Sequence, residues 1–96
     1  MNITFSARHF EASDKLREFA LKEVNHLEKY NEDKMSGEII LEENGNLKII
    51  DIRIMAFGKK LTSQVEGNDF YKALPKVVNK LEKQLKSAKS KITNRG

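Results

Sequence analysis

The sequence contains no cysteine, a single proline and no apolar run approaching the roughly 18 residues that cross a bilayer. Without cysteine there is no disulfide, no thiol catalysis and no thiolate-held metal, a composition that fits a reducing compartment. The N-terminus enters an alternating polar pattern with neither a basic leader nor an apolar core, so no signal peptide is read and the expected location is the cytoplasm. Histidine is scarce: His9 falls in a loop after a strand and His26 on the outer side of a helix, surface positions rather than a metal-ligand cluster. Gly37, Gly45, Gly58 and Gly67 are isolated turn glycines, which rules out a phosphate-cradling loop. Glu42 and Glu43 are neighbours on a strand, so they point to opposite faces and cannot work as an acid/base pair. The expectation is therefore a protein with no catalytic site, no cofactor, no metal and no small-molecule substrate.

What the chain does have is charge of one sign gathered at one end. Its 96 residues carry a net +4, yet from Asp69 onward eight basic residues face two acidic ones, a local +6 that leaves −2 for residues 1–68. In that stretch Tyr71, Leu74, Val78, Leu81, Leu85, Ala88 and Ile92 recur three and four residues apart, the signature of one helical face. Lys72, Lys76, Lys80, Lys83, Lys86 and Lys91 fall on the other side, with Lys89 towards the apolar edge. Such a face repels itself unless an acidic surface lies against it. A solvated lysine face is the plain alternative, since lysine is a good helix former and common on surfaces. Ordinary surface helices, however, mix signs to gain i,i+4 pairs. A polyanion is the expected partner, with nucleic acid the commonest. Binding to a membrane surface would need the apolar side, which the sheet requires; docking on an acidic protein surface is the second hypothesis.

The remaining pattern gives the scaffold. Residues 2–8 alternate, with Ile3, Phe5 and Ala7 on one side, as a half-buried strand does. Ser13 is placed to cap a helix whose buried stripe is Leu16, Phe19, Ala20, Val24, Leu27 and Tyr30, ending near Tyr30. Lys15, Lys22 and Lys29 repeat on its outer side, but acids balance bases along it. Asn31 to Lys34 reads as a polar connection, Glu38 to Glu42 as a second strand, and Glu43-Asn44-Gly45-Asn46 as a hairpin turn. Leu47 to Phe57 reads as a central strand with Ile50, Ile52, Ile54 and Ala56 on one face and Met55 and Phe57 on the other; these two could form an aromatic platform for bases, but with one aromatic the favoured reading is partial shielding or a protein contact. Gly58-Lys59 turns into a fourth strand, Lys60 to Glu66. The predicted architecture is a single α+β domain over 1–96, β-α-β-β-β-α, a four-stranded sheet with two helices packed on one face. Pro75 conflicts with it locally: about six residues into the last helix, it predicts either a kink or a separate first turn. Residues 93–96 are expected to fray.

The run Glu66-Gly67-Asn68-Asp69-Phe70-Tyr71-Lys72-Ala73-Leu74, continuing into Lys80-Leu81-Glu82-Lys83-Gln84-Leu85, resembles the ribosome hibernation promoting factors, also called ribosome-associated inhibitors or sigma-54 modulation proteins. Leu16-Arg17-Glu18-Phe19 and Leu27-Glu28-Lys29-Tyr30 agree with it, and the likeness covers essentially the whole chain. The resemblance implies a stationary-phase factor that binds the small ribosomal subunit and its rRNA near the decoding centre and inhibits translation by occupying the tRNA and mRNA paths. It implies rRNA-facing roles for Arg17, Lys80, Lys83, Lys89 and Lys91, while Lys76 and Lys86 extend that face and Lys22 completes the candidate RNA-binding set. The chain departs from the family pattern at Glu23 and His26, where relatives usually carry bases, at Ser87 and Ala88, which thin the basic tail, and at Pro75, which replaces a residue commonly acidic. Ending at Gly96, it is expected to be a short form without a C-terminal dimerisation domain, monomeric off the ribosome.

Overall fold

A computed structural model describes residues 1–30 and 35–93, the side chains of 91–93 excepted. Strand β1 (Asn2–Arg8) is followed by helix α1 (Asp14–Asn25), a 3₁₀ turn (His26–Tyr30), strands β2 (Ser36–Asn44), β3 (Leu47–Ala56) and β4 (Lys59–Gly67), and helix α2 (Phe70–Thr93). The strands lie in the order β1-β2-β3-β4, with β1 parallel to β2 and the other two pairings antiparallel. Helix α2 packs over β3 and β4, and α1 lies beside it towards β1, as the one-sided helices predict. The connection expected at Asn31 to Lys34 and the fraying expected at 94–96 lie outside the described residues; Thr93 belongs to α2.

Ser13 caps α1 as its residue type predicts, its Oγ accepting the Leu16 amide at 3.1 Å. The helical course does end at Tyr30, but its last turn tightens to 3₁₀ from His26 onward. On the sheet face under the helices, registered rows run Phe5–Ile39–Ile52–Ser63 and Ala7–Leu41–Ile50–Val65. In the third row Gly37 lies between Ile3 and Ile54; a Cβ there would come within 2.9 Å of Ile54 Cδ1, so the row closes because a side chain is missing. The opposite face is polar except for Ile40, which its neighbours shield, half-buried Ile49 and exposed Leu47 and Met55.

The first hairpin is tighter than the sequence predicts and the second is shifted by one residue. Glu43 and Asn44 still belong to β2, pairing with Lys48 and Leu47, so the first turn is Gly45-Asn46 alone, with Gly45 at φ +62. Glycine at the first of two loop positions matches the twist of the flanking strands. In the second hairpin Ala56 pairs with Lys59, which leaves Phe57 and Gly58 as the loop, both at positive φ. Phe57 therefore leaves the strand alternation and packs half-buried against the core. Met55 and Phe57 therefore do not share the outer face as the alternation predicts; of the two only Met55 remains there, 44% exposed.

A second correction concerns the buried face of α2. Tyr71, expected in the stripe, is 39% exposed, whereas Phe70 is 6% exposed and Val77 is fully covered. The buried face is wider than seven positions, taking in Phe70, Ala73, Leu74, Val77, Val78, Leu81, Leu85 and Ala88, because α2 meets both the sheet and α1. Tyr71 sits at the α1 edge of this face with its ring 5.2 Å from that of Phe19, while Phe70 stacks on Phe10 at 5.2 Å.

Candidate nucleic-acid interface

The frame of the interface is the entry to α2. Asp69 caps it, Oδ1 accepting the Tyr71 amide at 2.8 Å and its carbonyl receiving the Ala73 amide at 3.0 Å. Pro75 then sits on the exposed side of a single helix that continues to Thr93, so the first turn is not a separate element. The bond it removes is the one to the Tyr71 carbonyl, on the outer edge where solvent can take its place.

Of the residues expected to meet RNA, Lys76, Lys80, Lys83, Lys86 and Lys89 are all exposed along α2, in line with exposed Lys72. The side chain of Lys91 lies outside the described residues. Lys72, Lys76, Lys80 and Lys83 succeed one another at three- and four-residue steps along one line that carries no carboxylate, so each step is a like-charge contact costing about 0.2–0.5 kcal/mol in the free helix. The only acid inside α2, Glu82, is turned away from this ridge. It accepts a hydrogen bond from the Tyr30 hydroxyl at 2.7 Å and pairs with Lys86 at 3.6 Å. The pair with Lys86, whose side chain is 63% exposed, is a weak surface contact.

On α1, Arg17 and Lys22 are both exposed, but the fold treats them differently. Phe19 faces α2 through Tyr71, and Glu23, His26 and Lys29 share a groove of about 530 Å³ with Pro75, Lys76, Val78, Asn79 and Glu82 of α2. Arg17, two residues before Phe19 and so about 200° round the helix, lies on the flank away from α2 and is not brought to the lysine ridge. Lys22 points outward. His26 and Glu23 come within 3.8 Å of one another in the groove, so α1 presents a mixed rather than a basic edge to α2.

The Tyr30–Glu82 bond links positions far apart in the chain and has a consequence in pH. The Tyr30 hydroxyl, and after it Lys29 and Lys86, hold the Glu82 carboxyl below its usual range against a smaller opposing effect of burial. The same bond, with burial and the Glu82 charge, raises the Tyr30 phenol above its usual range. A depressed carboxyl stabilises the fold above its unfolded pKa of about 4.3, and the contribution is lost as pH falls through the lower folded value. A raised phenol stabilises it below about pH 10 and is lost as pH rises through the higher folded value. Glu82→Gln should thus bring the melting temperature closest to wild type at the acid and alkaline ends. A constant gap between wild type and variant from about pH 3 to 11 would show that the bond is not made in solution.

Two helices side by side on one face of a mixed four-stranded sheet, the longer one bearing a cationic ridge, define a small α+β domain with a single charged helical face. The chain belongs to the Sigma 54 modulation protein / S30EA ribosomal protein family, whose family model matches residues 3–93. A relative from Salmonella typhimurium named ribosome hibernation promoting factor is 27% identical over 92 residues, covering 96% of this chain and 97% of its own. The ribosome hibernation promotion factor of Bacillus subtilis is 24% identical over 99% of this chain, which spans about half (52%) of that protein's length. Among solved structures, a ribosomal subunit interface protein from Coxiella burnetii superposes with a TM-score of 0.84 at 28% identity, covering 94% of this chain and 99% of its own. The N-terminal domain of Thermus thermophilus Protein Y gives a TM-score of 0.83 at 25% identity, covering 91% and 98%.

Proposed function

We propose that this chain is a ribosome-binding hibernation factor that acts in the cytoplasm on the small ribosomal subunit. It seats the α2 lysine ridge on rRNA phosphates and blocks translation by occupying the tRNA and mRNA path, without catalysis. The observation that carries the reading is the ridge itself: Lys72, Lys76, Lys80 and Lys83 form a cationic line with no carboxylate in it, and the one interior acid of the helix is tied to Tyr30. Lysine is a hydrated point charge on a flexible stem, suited to phosphates and to shape rather than base sequence. The names borne by the family relatives support the ribosome as the source of those phosphates. The apolar side of α2 is used up against β3 and β4, and no described helix is long and apolar enough to cross a membrane.

The test is co-sedimentation with small ribosomal subunits before and after nuclease digestion. The protein is expected in the heavy fraction, and to leave it when the RNA is digested. Retention on nuclease-treated particles, or on an acidic protein, would show instead an interaction module that reads protein surface.

A further inference from the structure

The geometry points to a second phosphate seat, in the cleft where the β3–β4 hairpin runs beside the C-terminal half of α2. Leaving β4 through Gly67, the chain turns into α2 and comes back along the strand it has just left, so residues after Lys83 pass the start of β4. Gln84 fixes this approach, its Nε2 donating to the Thr62 carbonyl at 2.9 Å. The cleft is a shallow hollow of about 390 Å³, open to solvent and lined by Lys59, Leu61, Lys83, Gln84, Ser87 and Ala88. Leu61 and Ala88 give it an apolar floor, and Lys59 and Lys83 stand at its rim. No carboxylate belongs to the lining, and among the described residues neither lysine is ion-paired.

Two ammonium groups from different elements, a Gln amide already held by one bond with an N–H to spare, and an exposed serine hydroxyl converge on one concave spot. That set matches the non-bridging oxygens of an RNA phosphodiester, which take charged and neutral donors together. Lys60, the next residue, faces the other side of the sheet beside Arg53 and Met55, so strand alternation assigns only Lys59 to the cleft. The seat rests on the RNA reading of α2 and extends it: the strand that lies on the ridge continues across the helix edge onto the hairpin.

The experiment compares affinity for small ribosomal subunits across a salt series for Lys59→Gln, Lys60→Gln, Lys83→Gln and the double variant Lys59→Gln/Lys83→Gln, each checked by thermal melt. Lys59→Gln is expected to weaken binding roughly 3- to 10-fold and to make the log–log salt slope shallower, by less than about one because Lys83 still meets the same phosphate. Lys60→Gln should match wild type, Lys59→Arg should retain affinity, and the double variant should lose less than the product of the single losses because both lysines serve one phosphate. Wild-type binding by Lys59→Gln alongside weakened binding by Lys83→Gln would overturn the seat while leaving the α2 ridge standing. Weakening without a change of slope would overturn it too, in favour of a contact with a ribosomal protein. Wild-type binding by both single variants and by a charge-reversed α2 would remove the ridge and the seat together.

Discussion

Replacing Lys76, Lys80 and Lys83 together by glutamate is expected to abolish co-sedimentation with small ribosomal subunits at about 0.1 M salt. The three are exposed, successive on the outward line of α2 and, among the described residues, without a carboxylate partner, so the change breaks no native ion pair. It takes the net charge of the chain from +4 to −2. Six phosphate contacts along the helix would give a log–log salt slope of roughly −4 to −5, which between about 50 and 200 mM salt amounts to about a thousandfold in affinity. Losing three of the six should bring the slope near −2, with like-charge repulsion added on top. Far-UV circular dichroism should show the fold intact. Unchanged sedimentation by the folded variant would mean that α2 is not the contact face.

Leu81→Ala is expected to destabilise the domain by about 2–5 kcal/mol, a large share of the 5–15 kcal/mol typical of a domain. Leu81 is fully buried in the middle of α2, in one cluster with Ile50, Ile52 and Ile54 of β3. Truncation there removes apolar contact and opens a cavity that a helix clamped between sheet and α1 cannot readily collapse. Urea unfolding measures it, and a loss below about 1 kcal/mol would show that α2 is not seated on the strands. Below its melting temperature the variant should keep the wild-type salt slope, which separates the support of the ridge from the contact itself.

The scaffold was legible where one local rule governed each position. Ser13 caps because a hydroxyl before an amphipathic run has an orphan amide to satisfy, and Ile50, Ile52, Ile54 and Ala56 share a face because a strand alternates. The lysine ridge was legible for the same reason, since a helical period needs no tertiary knowledge. Where two elements compete for a residue, the sequence alone did not decide. Tyr71 and Phe70 are adjacent aromatics, and only the placement of Phe10 and Phe19 settles which of them turns inward. Phe57 reads as strand until the pairing of Ala56 with Lys59 makes it a turn residue. Arg17 looks basic and helical like the others, and only the position of α2 beside Phe19 puts it on the far flank. Lys59 carries no sequence signal for the cleft, because its neighbour there, Lys83, is distant in the chain. The bond between Tyr30 and Glu82 is hidden likewise, although a lone acid in a lysine-rich helix was the hint that something held it.

The far side of the sheet completes the electrical picture. Arg8, Arg53 and Lys60 there are met by Glu38, Glu42, Asp51 and Glu66, so that surface is close to neutral while the ridge is strongly positive. A body polarised in this way carries a dipole moment along the line from strands to helix, and near any polyanion it feels a torque as well as a pull. It would tumble into alignment before touching, arriving ridge first. Added salt should therefore slow its arrival far more than it hastens its departure.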